Sequence, residues 1–232
     1  MLDTASPASP LWIAHRGAAA LAPENTLAAY RAAWASGLRV LEQDVRVLAD
    51  GTLVVMHDAT VERTMVQRGE VDRMDLAQFR ALRARPFTGF ADIAPPTFGE
   101  VLSEFGSRAL LVPEAKSIGS GAPLVAALQN AGIAKTHALV QAFHLDDVLP
   151  AVAAGYPSMF LSRSTEGLDA ARDAGVQWAG IDRRASDATF NAWRDAGFKV
   201  VAYTVNDRRE RDRLLALGVC GFFSDDPIAT MR

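Results

Sequence analysis

Glycine returns in this chain at a nearly constant beat, always where a helix-like stretch gives way to an apolar segment. The pattern is seen at Gly37, Gly132, Gly155, Gly175, Gly197 and Gly218, and the last five are 23, 20, 22 and 21 residues apart. Glycine suits the left-handed position that closes a helix before the chain turns into a strand. The interval is that of one compact strand–helix unit. Strands read after these glycines, with those they imply, are LWIAH, RVLEQDV, ALLVPEA, HALVQAF, SMFLS, QWAGID, KVVAYTV and VCGFFSD. Eight alternating units predict an α/β fold, a closed (β/α)8 TIM barrel, in one domain over residues 1–232. An open doubly wound sheet usually carries a glycine-rich phosphate loop after its first strand, whereas HRGAAALAP has one glycine.

One stretch breaks the beat. RVLADGTLVVMHD reads as a hairpin with Asp50-Gly51 as its turn. The residues after it, about 59–95, are polar, end in prolines and are expected to form a small insertion over one end of the barrel. Thr97 and Glu100 form a capping-box pattern before FGEVLSEF, and Asp226-Pro227 opens the last helix.

The period of two in VLEQDVRV sets Glu42 and Asp44 on one face of a strand and Leu41, Gln43 and Val45 on the other. Leu41 and Val45 suit the helix-packed side, so both carboxylates are expected to face the barrel axis. Buried carboxylates this close repel unless a proton or a cation lies between them. Glu114, at the end of another strand in LLVPEAK, adds a third. Three oxygen ligands without a cysteine cluster suit one hard divalent cation, Mg2+ or Ca2+; pairing of a carboxylate with Arg16 or Lys116 is the alternative. His15 ends the first strand and His57 the second arm of the hairpin, placed for acid–base work beside the carboxylates. Arg16 and Lys116 add positive charge, and the cluster suits a phosphate ester.

AHRG followed by PENT, then E-x-D-V, DG-x-x-V-x-x-HD, E-x-K, TVN and SD-x-P resemble the glycerophosphodiester phosphodiesterase family from about Ile13 to Pro227. The resemblance implies a (β/α)8 barrel that hydrolyses glycerophosphodiesters to glycerol 3-phosphate and an alcohol. It implies His15 and His57 as the acid–base pair, Glu42, Asp44 and Glu114 as metal ligands, and Arg16 and Lys116 as phosphate contacts. Ala142, Tyr203 and Cys220 depart from residues common in the family, which bears on the alcohol-side pocket, where Tyr203 is a candidate substrate wall. Glu24 and Asn25 of PENT are expected to fix the loop and cap the first helix, His144 to lie on the surface or cap a helix, and Cys220 and the four tryptophans to pack.

A net charge of −3 with scattered basic residues gives no electrostatic footprint for nucleic acid. No window offers the roughly 20 apolar residues of a membrane span. The N-terminus has no basic start followed by an apolar stretch, and the single cysteine excludes an internal disulfide, so a cytoplasmic protein with a small-molecule substrate is expected. Lysophospholipase D or sphingomyelinase D-like lipid cleavage would call for an apolar mouth, which the polar insertion does not offer. A catalytically inactive phosphodiester-binding protein would be expected to have lost a histidine or a metal ligand. The oligomeric state is left open by the sequence.

Overall fold

A computed structural model describes residues 1–232. Its strands are β1 (Leu11–Ala14), β2 (Val40–Val47), β3 (Leu53–Val55), β4 (Leu110–Ala115), β5 (Val140–Ala142), β6 (Ser158–Ser162), β7 (Trp178–Asp182), β8 (Lys199–Tyr203) and β9 (Gly221–Ser224). The ladder runs β1-β9-β8-β7-β6-β5-β4-β2, and pairing of β1 with β2 closes it into a parallel eight-stranded TIM barrel. The ninth strand, β3, is the return arm of the hairpin and pairs antiparallel with β2. All eight expected barrel strands are present. Each of the six beat-setting glycines has a positive φ, between 67° at Gly132 and 93° at Gly197.

Two apolar layers follow from the alternation along the strands. Ile13, Val40, Leu110, Val112, Met159, Leu161, Val201 and Phe223 fill the barrel interior. Their neighbours Ala14, Leu41, Leu111, Val45 and Phe222 point outward and pack under the helices. The interior plug leaves the C-terminal ends of the strands as the open face, as in barrels of this type.

The insertion differs from its polar reading. Val61, Met65, Val71, Met74, Phe79 and Leu82 are buried with Leu48, Val54 and Met56 in a separate small core. A short helix, Leu76–Arg80, is held there by an Asp75/Gln78 capping box. The apolar residues were masked by the arginines and glutamates between them, which face water. The Thr97/Glu100 box and the Asp226 cap form as expected.

Candidate active site

Parallel strands in register bring residues distant in sequence to one level of the barrel. Asp44 on β2 pairs with Glu114 on β4, and Glu114 with Gln141 on β5. Because Glu42 and Asp44 share the inward parity of Val40, and Glu114 that of Leu110 and Val112, all three carboxylates end above the interior plug. One oxygen from each lies within 4.8 Å of the others, and the side chains are almost wholly buried. Burial and the mutual repulsion of the carboxylates push Glu42 well above the usual range and Glu114 up to about 7. Burial acts on Asp44 in the same direction, but Lys116, His57 and Arg16 outweigh it and hold its carboxyl low.

Each acid has a protein partner. The backbone N–H of Arg16 donates to Glu42 Oε2 at 2.6 Å. Arg16 has φ 53°, Gly17 φ 85° and Ala18 φ 63°, a left-handed run that turns this N–H toward β2. A Cβ on Gly17 would stand 2.8 Å from Ala29 Cβ, so the turn requires glycine both for its φ and for space. Asn25 Nδ2 donates to Asp44 Oδ2 at 2.7 Å, while its Oδ1 accepts from the Tyr30 hydroxyl at 3.0 Å. Lys116 Nζ lies 2.9 Å from Glu114 Oε1 and 3.6 Å from Asp44 Oδ1, so the ion pairing considered as an alternative to a cation is formed. An all-oxygen, buried, clustered donor set is nevertheless what a hard divalent ion requires, and the triad is compatible with such a site.

The two imidazoles are held alike. His15 Nδ1 is 2.6 Å from Asp225 Oδ1, and His57 Nδ1 is 2.6 Å from Asp58 Oδ1. A carboxylate at Nδ1 fixes the tautomer and leaves Nε2 for chemistry. Asn206 Nδ2 donates to Asp225 at 2.7 Å. Arg63, from the insertion, donates to Asp58 at 2.5 Å and through both terminal nitrogens to Glu24 at 2.8 Å, and Arg16 donates to the same Glu24 at 2.8 Å. Asp58 is held down at about 2: burial opposes this, but its bonds to Arg63 and His57 prevail. For His57, burial lowers the pKa, Asp44 pulls it up, and Lys116 and Arg16 lower it again, leaving it below its ordinary value.

These groups line one cavity of about 630 Å³. His15, His57, Glu42, Asp44, Glu114, Arg16, Lys116 and Tyr203, all expected from the sequence, meet there. Tyr203 donates to the Ser162 carbonyl at 3.0 Å and packs edge-on against Phe143.

The profile of the glycerophosphoryl diester phosphodiesterase family matches residues 15–119 and 124–229. The chain belongs to that family. A glycerophosphodiester phosphodiesterase of Bacillus subtilis strain 168 is 30% identical over 251 residues, covering 96% of this chain and 85% of that protein. The structure of an Oleispira antarctica phosphodiesterase in complex with the product sn-glycerol-3-phosphate superposes with a TM-score of 0.83 at 27% identity, over 96% of each chain. A putative family member from Silicibacter pomeroyi shares the fold at a TM-score of 0.83, with 23% identity, 96% of this chain and 92% of that one.

Within this family member, several residues of the cavity and its surroundings have no role assigned from the sequence: Arg63, Gln141, Arg163 and Asp182, together with Asp58, Asn206 and Asp225, which stand inside the HD, TVN and SD-x-P motifs. Following the period of two along β5 and β7 and past the ends of β6 and β9 finds four of them. Met159 and Leu161 lead to Arg163, Leu139 to Gln141, Gly180 to Asp182, and Phe223 to Asp225. Gln141 is buried, donates to the Val112 carbonyl at 3.2 Å and leaves its Oε1 without a partner. One expectation needs correction. The first helix, Leu27–Ala35, is capped by Thr26 and not by Asn25, whose side chain is drawn to Asp44. His144 meets its surface reading: it is exposed at a helix N-cap position, and its side chain makes no cap bond. Cys220 is buried just ahead of β9, its thiol pushed up to about 11 by burial. Trp178 and Trp193 are buried, and Trp12 and Trp34 pack partly buried against the outer core.

Proposed function

We propose that this chain hydrolyses glycerophosphodiesters to glycerol 3-phosphate and an alcohol, using one divalent cation, magnesium or calcium, and two histidines. The observation that carries this reading is the meeting, in one cavity, of a buried three-carboxylate cluster and two imidazoles each held at Nδ1 by a carboxylate at 2.6 Å. The product held by the Oleispira antarctica protein supports the substrate class. Glu42, Asp44 and Glu114 would hold the cation, which supplies charge for a phosphoryl oxygen and acidifies a hydroxyl group.

Arg16 and Lys116 bind the phosphate. Arg16 Nε is buried without a hydrogen-bond partner, 3.4 Å from Asp44 Oδ2, and a donor in that state gains from an anionic ligand. Tyr203 forms a wall for the substrate beside them. No side chain is placed to attack phosphorus, since Cys220 lies outside the cavity lining and Thr204, which does line it, makes no hydrogen bond to either imidazole; the nucleophile is then water or the substrate itself. The glycerol hydroxyl on the carbon next to the ester carbon stands near phosphorus by covalent attachment. One imidazole takes its proton, its oxygen bonds to phosphorus, the bond to the departing alcohol breaks, and the second imidazole protonates that alcohol. His57 suits the first role, since its lowered pKa keeps Nε2 unprotonated at neutral pH. Water then opens the cyclic phosphate with the proton transfers reversed.

Only four of the 18 lining residues are hydrophobic, which favours small soluble diesters over lysolipids or sphingolipids. No helix is long and apolar enough to cross a membrane. We place the reaction in the cytoplasm, a reducing compartment in keeping with the single cysteine. The test is a glycerophosphodiester paired with its deoxy analogue lacking only the attacking hydroxyl. Glycerol 3-phosphate should be released from the parent, and the analogue should bind but not turn over. Hydrolysis of the analogue near the parental rate would exclude cyclisation in favour of direct attack by water.

A further inference from the structure

Across the barrel axis from the carboxylates, the mouth has a different chemistry. The inward parity of Met159 and Leu161 on β6 carries Arg163 to the cavity edge, where its guanidinium carbon lies 4.7 Å from the centroid of the Phe143 ring. Arg163 has neither a carboxylate within 4.0 Å nor a hydrogen bond from its guanidinium. Its two cationic neighbours on β7's end are neutralised: Arg183 by Glu210 at 2.6 Å and Arg184 by Asp182 at 3.1 Å. Of the three arginines on this rim, Arg163 alone has no ion-pair partner; it lies over an aromatic face at the cavity edge, with Asp182 feeling its charge only at longer range.

We propose that the β6–β7 side of the mouth is a subsite for an anionic head group, with Arg163 as the residue that recognises it. The proposal rests on the phosphodiesterase reading above and concerns the alcohol that departs. Glycerol, whose hydroxyl must reach the carboxylate side, leaves the alcohol to point the other way. A guanidinium is a planar fork that matches phosphate and carboxylate oxygens in two parallel bonds. A cationic head group such as choline would seek the face of an aromatic ring. The Phe143 face is already covered by Arg163, and the like charge repels.

The experiment compares bis(glycerophospho)glycerol, whose leaving alcohol bears a second phosphate, and glycerophosphoglycolate, whose alcohol bears a carboxylate, with glycerophosphocholine. Each is assayed with magnesium and with calcium, in low and high salt. Wild type should show kcat/KM about tenfold higher for at least one anionic substrate than for the choline ester, with the gap narrowing in high salt. The faster of the two anionic substrates identifies the recognised group. Arg163→Ala should lower kcat/KM for that substrate about fivefold and raise it for the choline ester, Arg163→Lys should keep part of the preference, and Arg163→Glu should invert it. Equal rates on all three substrates in wild type, or a preference that Arg163→Ala leaves in place, would overturn the subsite while leaving the phosphodiesterase reading intact. Cleavage of no glycerophosphodiester with either ion would sink that reading and the subsite together.

Discussion

The two sides of the barrel mouth are built to opposite standards. On the side of β1, β2 and β4, the three carboxylates are almost wholly buried, and each acid and each imidazole is tied to another group: Glu42 to the Arg16 backbone, Asp44 to Asn25, Glu114 to Lys116, and each imidazole to an aspartate. On the side of β6 and β7, Arg163 is exposed and unpartnered, and the side chain of Arg184 is 76% exposed in spite of its bond to Asp182. Groups held in advance can stabilise a transition state without reorganising, whereas mobile solvated charges contribute little beyond selection. The first side is therefore suited to chemistry and the second to choice of substrate. Disturbing the first should cost orders of magnitude, and disturbing the second less than about tenfold.

The largest effect should come from the ion. Chelation should abolish turnover and added magnesium or calcium should restore it, and Asp44→Asn should behave like the chelated enzyme in steady-state assays. Full activity in thoroughly stripped protein would erase the distinction between the two sides. Next come the imidazoles. His15→Ala and His57→Ala should each lower kcat by about 10² to 10⁴ without loss of the circular-dichroism spectrum of the folded barrel. A His57→Ala enzyme with near-normal kcat would make that residue structural.

A smaller effect tests whether the tied side acts as a network. Arg63 lies outside the cavity lining, yet it bridges Asp58 and Glu24 and so links His57 to Arg16. Arg63→Ala should cost about 10- to 100-fold in activity, as removal of a supporting hydrogen-bond partner does at comparable sites. Loss of less than twofold would show that the two arms of the site are set independently.

The smallest effect is a pH dependence of ion binding. Glu114 rises from its ordinary 4.5 to about 7, and Glu42 too is raised well above its ordinary value by burial and its neighbours. A raised folded pKa stabilises the ion-free protein at pH below 4.5, and that contribution is lost as pH rises through about 7. Ion binding must displace the proton, so affinity measured by calorimetry should increase with pH up to about 7, by about tenfold per pH unit for each proton released. A dissociation constant independent of pH between 5 and 7 would mean that the carboxylates are already ionised without the ion.

What was legible in the sequence was whatever a local pattern encodes. The glycine beat marked helix ends because only a residue without a Cβ adopts those φ values freely, and the alternation in VLEQDVRV aimed Glu42 and Asp44 correctly. The partners of the functional groups were less legible. Asp225 meets His15 across 210 residues, and Arg63 reaches Glu24 across 39, contacts that closure of the barrel creates and no nearby spacing announces. Asparagine is a good helix cap, which makes Asn25 look like one from the sequence, but Asp44 offers its amide a buried, charged acceptor. The insertion's small core leaves no pattern in the sequence, because its apolar residues come from several short turns and obey no single period.

The most direct test is to crystallise the protein, soak it with manganese as a substitute ion and record anomalous scattering. An ion site formed by the triad gives a single strong peak among Glu42, Asp44 and Glu114, with ligand oxygens at about 2.0 to 2.6 Å, and none on the β6–β7 side of the mouth. A cavity with Lys116 still bridging Glu114 and Asp44 and no peak between the carboxylates, in crystals of an enzyme that remains active after chelation, would contradict it.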